Sequence, residues 1–379
     1  MSWPTVSIGS VAKVITGKTP PKADPNCFGG NIPFITPSEL TNSDYLLKPE
    51  TTLTEKGLAT TKLIPKNSIL VCCIGSLGKI AIANLPVATN QQINSVTFDE
   101  DKIYYRFGFY ALKLLKNELK NIAPSTTVAI VNKSRFSELK IPHPPLEEQK
   151  RIADILDKAA GIRQKREQAT KLADDFLRAT FLAMFGDPVV NEKKWPLRKL
   201  KDVCDNVIDC PHSTPKWVDN GTICIRTSNL SKGGWVWSDK RFVSEDTYLE
   251  RTKRSVVDEG DIILSREGTV GIAAIVPENL KLCMGQRLVQ LKLDKNQVTP
   301  EYLLAFLLYE LDPVRISRVM SGSTSKHINV SELKQLNVML PSMKKQKLFS
   351  EIRNKIINIS NKSNVDSSLF EVLSSQFAY

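Results

Sequence analysis

The chain has 379 residues, more than one ordinary domain holds and enough for two of roughly 100–200 residues each. Hydrophobic residues make up 41% of it, which supports real cores and argues against wholesale disorder. A net charge of +12 and a pI of 9.2 suit a polyanionic partner, nucleic acid first among them.

Read in order, the chain opens on Trp3-Pro4 and short β-like runs. Ser68–Ile74 and Ile80–Ala83 are apolar, partly β-branched and bounded by Gly, Pro or Asn, as strands are. A helical segment follows over Tyr104–Leu119, then a polar loop at Pro124-Ser125-Thr126-Thr127 and a short strand leading to Pro144. After that proline the period changes. Ile152, Ile155, Ala159, Ile162, Arg166, Ala169, Ala173, Phe176 and Ala183 fall near a 3-4 heptad grid with charge between them. Only Gly161 interrupts before Gly186-Asp187-Pro188, a helix stop. Leu146 to Phe185 thus predicts about 40 residues of helix, roughly 60 Å at 1.5 Å per residue.

The chain is then written a second time. Trp195-Pro196 repeats Trp3-Pro4 at an offset of 192. Ile32–Leu40 resembles Thr222–Leu230. Ile69-Leu70-Val71, Gly75 and Gly78, and Ile80-Ala81-Ile82 return as Ile262-Ile263-Leu264, Gly268 and Gly271, and Ala273-Ala274-Ile275, at one offset of 193. Thr127, Asn132, Ser134, Leu139, Pro144, Gln149, Lys150 and Ile155 fall on Thr324, Asn329, Ser331, Leu336, Pro341, Gln346, Lys347 and Ile352, at an offset of 197. Slow drift of the offset is what loop insertions in a duplicated domain give. The second copy also predicts a helix over Pro300–Leu311, a polar loop over Ser321–Ser325, and a final helix carrying Phe349, Ile352, Ile356, Ile359, Phe370 and Leu373, with Ser363 and Asp366 weakening its grid.

The fold expected is α+β: two similar globular domains, related as a pseudo-two-fold internal repeat and joined by two long helices paired antiparallel as a coiled coil. Its segments are an N-terminal globular domain (1–143), a central helix (144–188), a C-terminal globular domain (189–340) and a C-terminal helix (341–379). A lone helix of this length needs a partner for its apolar seam. The expected pairing positions are Ile152, Ile155, Ala159, Ile162, Ala169, Ala173 and Phe176 on one helix and Phe349, Ile352, Ile356 and Ile359 on the other. The competing reading has each helix packed only on its own domain.

Two similar but non-identical heads on a rod suit a reader of two different half-sites, with the helices as a ruler for the unread spacer. Here a resemblance becomes specific. Pro144-Pro145-Leu146-Glu147-Glu148-Gln149-Lys150-Arg151-Ile152-Ala153-Asp154-Ile155-Leu156-Asp157 resembles the helix start found in specificity subunits of Type I restriction–modification systems. Phe181-Leu182-Ala183-Met184-Phe185-Gly186-Asp187-Pro188 is similar to the end of that helix, and the duplicated layout matches across the chain. The second copy departs at Pro341-Ser342-Met343-Lys344-Lys345-Gln346-Lys347, where the family usually has an acidic pair before the Gln.

The resemblance implies a non-catalytic subunit that binds double-stranded DNA, each domain reading half of a bipartite asymmetric site. It further implies two modification subunits that bind S-adenosylmethionine and methylate adenine, and restriction subunits that use ATP and Mg. No cofactor is expected in this chain itself. A specificity chain of a fused, Type IIB-like system is the near alternative, and a two-headed protein scaffold the alternative of another class.

Base edges are read mostly by Arg, Lys, Asn, Gln, Ser and Thr. The DNA-binding candidates in the first copy are Thr36, Ser38, Lys79, Gln91, Gln92, Ser125, Thr126 and Thr127. In the second copy they are Arg226, Thr227, Asn229, Arg266, Gln286, Arg287, Ser323, Thr324 and Lys326. Each alone reads more readily as a turn residue or a solvated side chain than as a base reader; together they recur at matching places. The run Arg163–Arg166, with Lys158 and Lys171, either solvates the helix or meets a subunit or phosphates.

Catalytic and metal motifs are missing from the sequence. Gly17-Lys18-Thr19 ends like a phosphate-binding loop, but the earlier glycine is replaced by Ala12. Gly75-x-x-Gly78 and Gly268-x-x-Gly271 read as hairpin turns or as close approaches to a DNA backbone. No Asn/Asp-Pro-Pro-Tyr/Phe methyltransferase segment occurs. Glu148-Gln149-Lys150 has a nuclease-like form, but its nearest upstream aspartate is Asp101. His143, His212 and His327 lack matched partners. Seven cysteines (Cys27, Cys72, Cys73, Cys204, Cys210, Cys224 and Cys283) form no zinc grid, Cys210-Pro211-His212 with Cys204 being the nearest approach. Free thiols, no leader-like start and no apolar run near 20 residues predict a cytoplasmic protein, prokaryotic by the resemblance.

Overall fold

A computed structural model of the chain describes residues 3–41, 43–47, 49–123, 128–267, 270–312 and 328–362. These divide into two compact units between Lys165 and Arg166, inside the long helix that the sequence reading treats as a segment of its own.

In the first unit, β2 (Ala12–Thr16), β8 (Ile93–Phe98), β5 (Ile69–Cys72) and β6 (Ile80–Ile82) form an antiparallel sheet in that order. A second sheet runs β4 (Thr52–Leu53), β3 (Phe28–Ile35), β7 (Ala88–Thr89), with β3 and β7 parallel. β1 (Thr5–Ser7) pairs with β9 (Lys140–Pro142), closing the two ends of the domain on each other. The central strand β5 reads Ile-Leu-Val-Cys because both of its faces are covered. Ile69 and Val71 join the core beneath the helix Tyr105–Leu114, while Leu70 and Cys72 join a second core with Ile35, Leu40 and Ile93. This two-residue alternation is the geometry of a strand between two layers.

The second unit repeats the plan. β11 (Cys204–Asp209), β19 (Leu288–Leu293), β16 (Ile262–Ser265) and β17 (Ala273–Ile275) take the same order, as do β15 (Phe242–Val243), β12 (Thr222–Ile225) and β18 (Leu282–Met284). β10 (Leu197–Lys199) pairs with β20 (Asn337–Met339) as β1 does with β9. The hairpin β13 (Leu230–Ser231) and β14 (Gly234–Trp235) is an addition among the described residues. Tyr302, Phe306 and Leu307 of the helix Pro300–Glu310 fill the second core. The duplicated α+β architecture read from the offsets is therefore present in strand order.

The long helix spans Leu146–Phe185 and is followed by Gly186 in the left-handed region at φ 81°. Its first turns bury Ile152, Ala153 and Leu156 in the first unit's core; its last turns bury Phe181 and Phe185 in the second's. Between them Ile155, Ala159 and Ala173 are half-buried, and Ile162, Ala169 and Phe176 are exposed. In the C-terminal helix Met343–Lys362, Phe349 is fully buried, Ile352 and Ile356 are half-buried and Ile359 is exposed. Within the second unit the rings of Phe181 and Phe185 lie 5.8 and 5.6 Å from that of Phe349. Asp174, two turns before Phe181, feels the charge of Arg353, one turn after Phe349, so the two helical stretches run in opposite directions there. Phe370 and Leu373 lie outside the described residues.

One buried amide in each copy fixes where the helix leaves its domain. Gln149 accepts the Tyr104 N–H at 2.9 Å and donates to the carbonyls of Lys102 at 2.9 Å and Pro144 at 2.8 Å. Gln346 accepts the Thr299 N–H at 3.0 Å and donates to Gln297 at 3.0 Å and Pro341 at 2.9 Å. Two turns on, the copies diverge. Arg106 reaches Asp157 and Asp44, with Tyr110 donating to Asp157 at 2.6 Å. Burial works against the Arg106 charge, yet the Asp157 hydrogen bond holds its pKa above the ordinary arginine value. At the matching place the second copy has Glu301, taking hydrogen bonds from Ser350 at 2.9 Å and Asn354 at 3.5 Å.

Two stability predictions follow from these contacts. Gln149→Leu keeps the volume but strips partners from one N–H and two carbonyls, and should cost about 2–4 kcal/mol in denaturant unfolding; a loss below about 0.5 kcal/mol would show the amide to be dispensable. Asp157→Ala should cost about 2 kcal/mol by leaving the Arg106 guanidinium short of a partner, the part-exposed carboxylate keeping the figure modest. Asn354→Ala, where no buried charge is stranded, should cost under about 1 kcal/mol by the same measurement, and equal losses at both places would refute the distinction.

Candidate nucleic-acid interface

In each unit the loops at one edge of the sheets are tied to one another. In the first, Thr36 and Ser38 follow β3 and turn their hydroxyls to Glu39 at 2.8 and 3.1 Å. Lys79 donates to the Pro37 carbonyl at 3.2 Å, joining that loop to the Gly75–Gly78 turn. Gln91 is exposed and its Oε1 accepts the Thr19 hydroxyl at 2.6 Å. Gln92 is half-buried, accepting from Asn90 Nδ2 at 2.9 Å and donating to Ile74 at 3.4 Å. Ile74 bridges Ile130, so the chain just after 124–127 arrives at the same edge. Ser125, Thr126 and Thr127 themselves lie outside the described residues.

The second unit brings the corresponding loops together with more charge. Arg266 is buried at the end of β16, its Nε 3.2 Å from Asp209 Oδ1 and its Nη2 3.5 Å from Glu267. Its backbone N–H donates to the Arg287 carbonyl at 3.1 Å, and its own carbonyl accepts the Ile328 N–H at 2.8 Å. Arg287 is exposed, with Nε 3.4 Å from Glu267 Oε2. Gln286 is half-buried and donates to the His212 carbonyl; His212 Nε2 lies 3.3 Å from Asp209. Arg226 pairs with Asp239 at 2.5 Å, and that hydrogen bond holds the Asp239 carboxyl below the usual carboxylate range. Thr227 is half-buried beside it. Ser323, Thr324 and Lys326 lie outside the described residues.

Asn229 departs from the sequence expectation of a base reader. It is buried, its Oδ1 accepting the Arg226 N–H at 2.9 Å and its Nδ2 donating to Val236 and Asp239 at 3.2 and 2.9 Å. Both ends of the amide are engaged in holding the loop that carries Arg226. Gly75, Gly78 and Gly271 have φ of 76°, 76° and 80°, and a Cβ on Gly271 would collide with the Leu311 carbonyl. Gly17 is closed against the Thr89 and Asn90 backbone, which explains a glycine there without phosphate.

Sequence reasoning missed Asp209, Glu267 and Asp239, the carboxylates that orient the arginines, because acidic residues near a basic candidate carry no signal in one sequence. It also missed the stacked pair Trp235 and Trp237, with ring centroids 5.0 Å apart. All seven cysteines are buried and free, and no cluster of metal-ligating side chains occurs among the described residues. What the edges offer is a set of guanidinium, amide and hydroxyl groups on loops pinned from behind. That chemistry suits base edges and phosphates.

Comparison with known proteins agrees with this architecture. The chain is 27% identical over 380 residues to the Type I restriction enzyme MjaVIII specificity subunit of Methanocaldococcus jannaschii, covering 94% of this chain and 86% of that one. It is 22% identical over 372 residues to the EcoBI specificity subunit of Escherichia coli, covering 91% and 77%. The crystal structure of a Type I restriction–modification S subunit from M. genitalium superposes with a TM-score of 0.62 at 16% identity, covering 100% of this chain and 95% of that one, which shows a shared fold. The family model described as Type I restriction modification DNA specificity domain matches twice, over residues 2–171 and 192–366, in step with the two copies. The chain belongs to the Type I restriction–modification DNA specificity family.

Proposed function

We propose that each unit reads one half of a bipartite, asymmetric DNA site for a Type I restriction–modification enzyme, and that the chain supplies recognition without catalysis. The observation that carries this reading is a single loop edge built twice on one strand order, with different polar side chains in each copy. Identical edges would read a symmetric site; these differ where Arg226 stands for Thr36 and Arg287 for Gln92. The long helix sets the length of the unread spacer.

Two modification subunits dock on the helices, where Ile162, Leu172, Phe176 and Ile359 are exposed apolar side chains that a partner helix would cover. Methyl transfer to adenine from S-adenosylmethionine occurs in those subunits. ATP- and Mg-dependent cleavage belongs to restriction subunits. Among the described residues no helix is long and apolar enough to cross a membrane.

The test is co-expression with a cognate modification subunit and mapping of N6-methyladenine in host DNA. Methylation should be confined to one bipartite asymmetric motif and vanish when this chain is deleted; methylation that persists unchanged would refute the role. Inserting one further helical repeat within 163–171 should lengthen the spacer by at least one base pair and leave both half-sites unchanged. A changed half-site at constant spacer would count against the helix as ruler.

A further inference from the structure

We propose that Arg287 reads a guanine in the half-site of the second unit, with Glu267 as its positioning residue; this rests on the DNA-reading function proposed above. Arg287 ends the three-residue link Gly285-Gln286-Arg287 between β18 and β19. The link is held on both sides: the Gly285 N–H donates to Ile225 at 2.7 Å, and the Arg287 carbonyl takes the Arg266 N–H. Leu288, the next residue, is fully buried. Between these anchors Arg287 adopts φ 66°, a left-handed conformation that side chains other than Asn, Asp and Gly rarely take. Strain of this kind persists where the surroundings fix it, and it gathers at ligand-contacting positions.

The first copy provides an internal comparison. Asn90-Gln91-Gln92 precedes β8 as Gly285-Gln286-Arg287 precedes β19, and none of those three residues has positive φ. Gln92 turns its amide inward to Asn90 and Ile74. In the second copy the same position carries a side chain that is 62% exposed. The strained backbone and the outward side chain thus arise together, in one copy only.

Geometry selects the ligand. With Nε facing Glu267, the Nη1–Nη2 edge is left to meet two acceptors side by side, which is what guanine O6 and N7 present in the major groove. The neighbouring arginines are placed otherwise, Arg266 buried against Asp209 and Arg226 paired with Asp239. Local charge favours a base over a phosphate. Among the described residues Arg266 faces Asp209 and both arginines face Glu267, and a carboxylate beside Arg287 opposes a phosphate there.

The experiment uses the complex with modification subunits and a panel of duplexes in which each base pair of the mapped site is replaced in turn. If the wild-type complex shows no bipartite site, the parent function fails before this inference is reached. Given a site, the wild type should discriminate for a G·C pair at one position of the second unit's half-site. Arg287→Ala should abolish that preference, a loss of about 10- to 100-fold, and leave the other half-site intact. Arg287→Gly relieves the left-handed backbone and should fold at least as well as wild type, so its matching loss of discrimination cannot come from misfolding. Glu267→Gln should weaken the preference at the same base pair and nowhere else. The inference is overturned if Arg287→Gly lowers affinity for every duplex alike, as a phosphate contact would, if it leaves the preference unchanged, or if that half-site holds no required G·C pair.

Discussion

The fold turns on a glutamine that must both accept and donate where a long helix meets its domain. Gln149 joins three backbone segments at once: the turn before the sheet-covering helix, the residue starting that helix, and the proline before the long helix. Only a primary amide offers one acceptor and two donors on a short, neutral stem. A carboxylate would lack the donors, and an apolar residue would strand three buried backbone groups. Gln346 repeats the arrangement bond for bond. Because the amide is buried, the direction in which each helix departs is set by hydrogen bonds of fixed geometry and not by apolar contact alone.

Around that constraint the copies vary freely where chemistry allows. An arginine–aspartate pair beside Gln149 becomes a glutamate hydrogen-bonded to serine and asparagine beside Gln346. Each bridges the corresponding pair of helices in its own copy. The ion pair needs its neighbours Asp44 and Tyr110 to offset burial, whereas the glutamate of the second copy is held by two uncharged donors. Strand order, the buried central strand and the closing pair of terminal strands are kept, because each depends only on apolar period and backbone pairing.

That division explains what the sequence made legible. The long helix could be bounded at Leu146 and Phe185 because proline precedes it, Gly186 ends it, and little else interrupts 40 residues. The offset of 197 put Gln149 opposite Gln346 before either had a visible role. The candidate edge was only partly legible. Lys79, Gln91 and Arg287 lie exposed on it, but Asn229 resembles them in sequence and is buried. Polar residues in loops serve backbone and ligand with the same atoms, and only the surroundings say which. Nor did the helix grid say which apolar positions face a domain: Ile152 and Phe176 fit one pattern, yet the first is in a core and the second is exposed.

The placement of charge separates two tasks that a DNA reader performs. A surplus of +12 provides long-range attraction, but the arginines at the second unit's loop edge each face a carboxylate and contribute little to it. Such pairs are weak as stabilisers when exposed, so their value lies in direction: the carboxylate fixes one edge of the guanidinium and leaves the other defined. Attraction to phosphates is strong on any sequence and fades with salt, whereas a held guanidinium gains its full hydrogen bonds only on the right base. A chain that must examine many wrong sites quickly benefits from keeping these apart. On the proposed reading, net charge brings the chain to DNA, and the carboxylate-held arginines of the second unit's edge decide whether it stays.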